Sequence, residues 1–164
     1  MLKIINKLVT EGIIDKYAIA DGMAQFYYIE PSVTYDLDLI VHILGEENSL
    51  KPLDKLYDWV KKNNYSTDRE HIIIEGIPMQ FLLAYNELAK EALEHSIKVK
   101  LFEEQTYILK AEYLMAIMLQ TGRMVDKERF IRFLREAEFD KVQFIKVIEK
   151  FNLTKVYKKV LNGK

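Results

Sequence analysis

Strand-type patterns stop near Lys110 in this chain, and from Ala111 onward every pattern is helical. That division constrains the fold more than any single motif. Before it, helix and strand signatures alternate. Leu2, Ile5, Leu8 and Val9 form the apolar stripe of a first helix that ends near Gly12. Tyr17-Ala18-Ile19-Ala20 reads as a short buried strand, and Asp21 as the N-cap of a helix running to about Ile29, closed by Pro31. A strand from Thr34 to about Ile43, a polar turn over Gly45 to Ser49 and an amphipathic helix over Pro52 to Lys62 follow. His71 to Glu75 and Ile77 to Leu83 flank Gly76 as a β-pair; Asn86 to His95 is helical, and Ile97 to Leu101 and Gln105 to Leu109 are short strands. The tail predicts helices over Glu112 to Gln120, Asp126 to Ala137, Val142 to Phe151 and from about Thr154. A mixed sheet followed by helices is an α+β arrangement. We expect a core over residues 1–110 and a helical C-terminal part over 111–164, whose many apolar residues pack it on that core.

Composition narrows the chemistry. The chain has no cysteine, which excludes disulfides, thiol catalysis and cysteine-based zinc sites. Three scattered histidines, His42, His71 and His95, make a zinc site a poor expectation. Lys plus Arg number 24 against 25 acids, so bulk charge does not drive nucleic-acid binding, although a local basic patch stays open. With no secretory signal and no apolar run long enough for a bilayer, the expectation is a cytoplasmic protein without membrane association.

The chemistry-bearing stretch is Thr34-Tyr35-Asp36-Leu37-Asp38-Leu39-Ile40-Val41. Strand side chains alternate, so Asp36 and Asp38 share one face while Tyr35, Leu37, Leu39 and Val41 share the other. Their Cα atoms then lie about 6 to 7 Å apart. From that spacing two carboxylates can converge on divalent ions, as phosphoryl and nucleotidyl transfer require. A solvated edge strand explains the same pattern, and the flanking sequence has to decide.

Those flanks, Tyr17-Ala18-Ile19-Ala20-Asp21-Gly22-Met23-Ala24, Tyr28-Ile29-Glu30-Pro31 and the Asp36/Asp38 strand, resemble the opening of minimal nucleotidyltransferases of the DNA polymerase beta superfamily. The branch they resemble is that of the abortive-infection toxin nucleotidyltransferases. The likeness continues through Glu75-Gly76-Ile77-Pro78-Met79-Gln80-Phe81-Leu82, Glu112 to Ile117, Thr121-Gly122-Arg123, Asp126 and Arg129. It implies a nucleotidyltransferase-like mixed sheet flanked by helices. It also implies magnesium-dependent transfer of a nucleoside monophosphate from a nucleoside triphosphate to a hydroxyl of RNA or protein, with an antitoxin protein as a candidate partner.

Carried over by position, Asp36 and Asp38 match the catalytic, metal-binding pair, which would hold Mg2+ through hard carboxylate oxygens. Ala20, Asp21 and Gly22 stand where the family cradles the triphosphate at a helix N-terminus. Thr34 and Arg123 are further phosphate-contact candidates; Arg123 equally suits an ion pair with Asp126. Two departures are visible. The family's third carboxylate is replaced by neutral Gln80, with Glu75 a substitute metal ligand only if the strand pair turns it to the same face. Asp21 sets a negative charge where phosphates would dock, unless the loop shifts and Gly22 makes the approach. An active enzyme and a catalytically degenerate module that senses nucleotide or binds protein are therefore both consistent with the sequence.

Overall fold

The computed structural model describes residues 1–30, 35–45 and 51–163. Among them lie eight helices and seven strands. In chain order the elements are α1 (Leu2–Thr10), β1 (Lys16–Ile19), α2 (Asp21–Tyr28), β2 (Leu37–His42), α3 (Asp54–Lys62), β3 (Ser66–Asp68), β4 (His71–Ile74) and β5 (Ile77–Leu83). Then follow α4 (Glu87–Glu94), β6 (Ile97–Leu101), β7 (Glu104–Ile108), α5 (Ala111–Thr121), α6 (Met124–Glu136), α7 (Lys141–Lys150) and α8 (Thr154–Leu161). The α+β class expected from the sequence is the one observed.

The strands form one mixed sheet in the order β3-β4-β5-β2-β1-β7-β6. β2 sits at its centre, antiparallel to β1 and parallel to β5. Leu37, Leu39 and Val41 on one face of β2 are fully buried, as the period of two requires. The other face carries Asp38 and Ile40, beside Gln80 and Leu82 of β5 in register. α2 and α4 pack against β2, and α1 against β7.

α5 is the spine of the helical part. It buries Tyr113, Leu114, Met115, Ala116, Met118 and Leu119, the large ones stabilising by about 1.5–3 kcal/mol each. Burial on all sides identifies a helix enclosed by other elements, and α4, α6, α7 and α8 all contact it. Gly122 ends it in the left-handed conformation, φ 65°, where glycine carries no Cβ penalty. Phe133 of α6 meets Tyr28 of α2 at 6.1 Å between ring centroids. Asp140 N–H of the α6–α7 loop donates to buried Glu112 at 2.7 Å. α6 thus meets α2, and α5 meets α4.

Two expectations change. Asp21 is not an N-cap: Ala20 takes that place in extended backbone, and Asp21 is the first helical residue, with no cap bond from its side chain. The short strand β3 has no sequence signature, because its three residues are all exposed and nothing alternates. Most of the turn expected over Gly45 to Ser49 lies outside the described residues.

Candidate active site

The central strands and α5 enclose a cavity of about 450 Å3. Its polar end is formed by Asp21, Asp38, Gln80, Thr121, Arg123 and Asp126, and its floor by Ile40, Leu82, Leu109, Leu114, Ile117 and Met118. Each position follows from local structure. The alternation of β2 turns Asp38 and Ile40 into the cavity. The parallel register sets Gln80 beside Asp38 and Leu82 beside Ile40. On α5, Leu114, Ile117, Met118 and Thr121 recur at the three- and four-residue intervals that define one helix face. The junction of β1 and α2 is held to β2 by Ala20 N–H donating to Asp38 O at 2.8 Å.

Asp38 is strongly perturbed. Burial pushes its carboxyl up to about 7 from 3.8, helped by repulsion from Asp21 and Asp36 and a hydrogen bond shared with Asp21, against a smaller opposing pull from His71. Its Oδ1 is buried and has no hydrogen-bond partner among the described residues. Such an atom costs about 1–3 kcal/mol, so the site is incomplete as it stands. Asp36 precedes β2 and has His71 Nε2 at 3.8 Å.

Asp21 holds the least comfortable backbone here. Its φ is +42°, and Gly22, one residue on, is not among the residues with positive φ. The loop therefore does not shift to bring Gly22 into the approach; a non-glycine residue takes the left-handed position, at a cost of about 1–2 kcal/mol. Ion pairs offset that cost. Arg129 donates to Asp21 Oδ1, and Arg123 Nη2 lies 3.7 Å from Oδ2. Arg123 also grips Asp126 with two bonds, 2.7 and 2.9 Å, and Thr121 adds a third at 2.6 Å. Although burial alone would raise Asp126, these bonds hold it below the usual carboxylate range.

Of the residues singled out by sequence, Ala20, Asp21, Asp38 and Arg123 line the cavity. Gly22 is buried as the second residue of α2, and Asp36 stands two residues before Asp38 on the same strand path. Thr34 lies outside the described residues. Glu75 does not join the carboxylate pair. It is in the β4–β5 turn at φ +52°, 57% exposed, and pairs with the Met1 ammonium. Strand register explains this: Gln80 stands opposite Asp38, and Glu75 is five positions away. His71 and Thr121 escaped the sequence reading as site residues. Met79 pairs with Leu37 on one side and Ile72 on the other, which sets His71 near Asp36. Only the strand order reveals that.

The residues fit one divalent cation. Magnesium is commonly held by one or two carboxylates together with substrate phosphates and water. Asp36, Asp38 with its orphaned Oδ1, and the Gln80 amide meet that description. Among the described residues no cluster of three or more His, Asp or Glu offers a cage made of protein alone. No helix among them is long and apolar enough to cross a membrane.

No family model matches the sequence, and no curated protein matches it. Among solved structures the chain is similar to that of an antigenic nucleotidyltransferase-like protein from Paracoccidioides brasiliensis, with a TM-score of 0.55 and 14% identity. The match covers 94% of this chain and 89% of that one. At such low identity the likeness speaks for architecture: the chain has a nucleotidyltransferase-like fold.

Proposed function

We propose that the cavity binds a nucleoside triphosphate with Mg2+ and transfers its nucleoside monophosphate to a hydroxyl group of RNA or protein. The observation that carries this reading is the buried, unpartnered Oδ1 of Asp38, a residue that lines a cavity at the α2 N-terminus and has Asp36 two positions before it on the strand path. Asp36 and Asp38 would hold the ion, which supplies Lewis-acid stabilisation of the triphosphate and lowers the pKa of the attacking hydroxyl. The acceptor oxygen attacks the α-phosphorus, the bond to the β-phosphate breaks, pyrophosphate leaves and the hydroxyl proton passes to solvent. Arg123 lines the polar end, where its guanidinium, held by Asp126, would set a positive charge beside the phosphate oxygens. A toxin–antitoxin setting, with an antitoxin protein as partner and the cytoplasm as compartment, belongs to the same reading and is supported by the resemblance of the sequence to abortive-infection toxins.

Two observations favour a second reading, a degenerate domain that binds nucleotide or protein without transfer. Gln80 supplies no charge opposite Asp38, and Asp21, paired with Arg129 and 3.7 Å from Arg123, sets a carboxylate at the cavity's polar end. One experiment separates the readings. The protein is incubated with each labelled triphosphate, Mg2+ or Mn2+, and bulk RNA or lysate, while its melting temperature is followed with and without metal. Transfer of label that Asp38→Asn abolishes supports the enzyme. A metal- and nucleotide-dependent rise in Tm without transfer supports the binding module. No response in either measurement refutes both.

A further inference from the structure

Charge is unevenly divided along this chain. Residues 141–164 contain seven lysines and one glutamate, out of 24 basic and 25 acidic residues in all, which leaves 17 basic against 24 acidic residues in the remainder. A nearly neutral protein thus has a strongly basic end, and that end is α7 and α8, two helices packed together on α5.

Five lysines of this end are turned outward and have no ion-pair partner among the described residues. On α8, Lys155, Lys158 and Lys159 are exposed and fall on one stripe at the spacing that makes helix neighbours. Val156, Tyr157 and Val160 of the same helix turn into the core. Exposed Lys141 and Lys146 extend the positive surface onto α7. None of these five forms an ion pair among the described residues, whereas Lys150 is paired with Glu91. Elsewhere several surface cations are paired, as Lys7 with Glu11, Lys90 with Glu87 and Lys100 with Glu103 show. Five like charges left together raise the local potential, at a cost in self-repulsion that a polyanion would relieve.

We propose that the α7–α8 face binds the phosphate backbone of single-stranded RNA. Charge complementarity selects a polyanion, and the disposition of apolar groups selects nucleic acid over a lipid surface. A helix that inserts at a membrane keeps a broad apolar face outward; α8 turns Val156, Tyr157 and Val160 inward and exposes Leu161 at its end, and on α7 Val142 and Ile145 are exposed, too few for such a face. The face also has a definite relation to the cavity. α5 presents Leu114, Ile117, Met118 and Thr121 to the cavity and is packed against α7 and α8 elsewhere. One helix diameter, about 10–12 Å, separates the two, a span of a few nucleotides. On the nucleotidyltransferase reading, this face selects RNA as the acceptor and delivers a strand end to Asp36 and Asp38.

Anisotropy of a labelled oligouridine with the full chain, titrated at salt between about 50 and 200 mM, tests the proposal. Wild type should bind, with affinity falling linearly in log–log form. Lys155→Gln/Lys158→Gln/Lys159→Gln should weaken binding by about tenfold or more at the lowest salt and reduce the slope by about 2, at roughly 0.7 per phosphate contact on a single strand. Lys61→Gln/Lys62→Gln on α3 should change neither. Asp38→Asn should bind RNA as wild type does while losing transfer, so the face and the active site can fail separately. Absence of RNA binding at low salt, equal losses in both lysine variants, or binding to phosphatidylserine vesicles in place of RNA would overturn the proposal.

Discussion

Replacing Asp21 tests whether the triphosphate position is blocked by a single side chain. Asp21 opens α2, where an anion should gain from the helix N-terminus. Its carboxylate is already there, paired with Arg129 and lying 3.7 Å from Arg123. At about 5 Å and an effective dielectric near 20, a carboxylate and a phosphate charge repel by about 3 kcal/mol. The two guanidiniums cancel part of this, and we take about 1 to 2 kcal/mol as the net gain on removal, about five- to thirtyfold in Kd. Stability should change little in Asp21→Gly. Glycine relieves the left-handed backbone at φ +42°, while the lost ion pairs and the freer unfolded chain act against it. Asp21→Asn keeps a residue that tolerates this backbone but removes the charge, so it isolates electrostatics. Calorimetric titration with ATP and GTP, at one salt and one Mg2+ concentration, should show both variants binding more tightly than wild type. A gain in the glycine variant alone would assign the block to backbone crowding. No gain in either, with Tm retained, refutes the reasoning, as does tight binding by wild type.

Gln80→Asp should set a third carboxylate beside Asp38, lower the Tm of the metal-free protein through like-charge repulsion, and enlarge its rise with Mg2+ as followed by thermal shift. The folded-state value of Asp38, about 7, lies above its ordinary 3.8; its contribution to stability is therefore full below about pH 4 and lost as pH rises through 7. In chelator, Tm of wild type should fall across that window relative to Asp38→Asn, and parallel profiles would exclude the shift. Phe133→Ala should cost about 3–5 kcal/mol by denaturant melting, because the ring is fully buried and meets Tyr28. A single transition is expected, since the tail and the sheet share that core; two transitions would separate residues 1–110 from 111–164.

Local elements were legible because their signals are local. Asn86 caps α4 by accepting from Ala89 N–H at 2.8 Å, as its place before an apolar period suggests. The helical pattern over Glu112 to Gln120 announced α5, which the structure then shows to be enclosed by other helices. β3 was unreadable, since three exposed polar residues join the sheet only because β4 offers an edge. The backbone of Asp21 was also hidden. Sequence shows a favourable capping residue, whereas the turn from β1 into α2 leaves the cap to Ala20 and forces Asp21 into a left-handed conformation. Alternation put Asp36 and Asp38 on one face in the sequence, but of the two Asp38 lines the cavity, and the partners of each depend on strand order. His71 reaches Asp36 only because β4 and β2 flank β5 on opposite sides.

The distribution of charge around the cavity then distinguishes structural from functional carboxylates. Asp126 is satisfied by two bonds from Arg123 and one from Thr121, and it stays ionised at low cost. Asp21 is answered by Arg129. Neither arginine donates to Asp36 or Asp38 in a described hydrogen bond, and Asp38 responds to burial and to its acidic neighbours by retaining its proton up to about pH 7. A proton is the smallest cation that can relieve such crowding; a divalent ion coordinated through Oδ1 would relieve it further and displace that proton. Among the described residues the unpartnered buried oxygen therefore belongs to Asp38, one of the residues that the sequence singled out for metal binding, while Arg123 and Arg129 are engaged by Asp126 and Asp21.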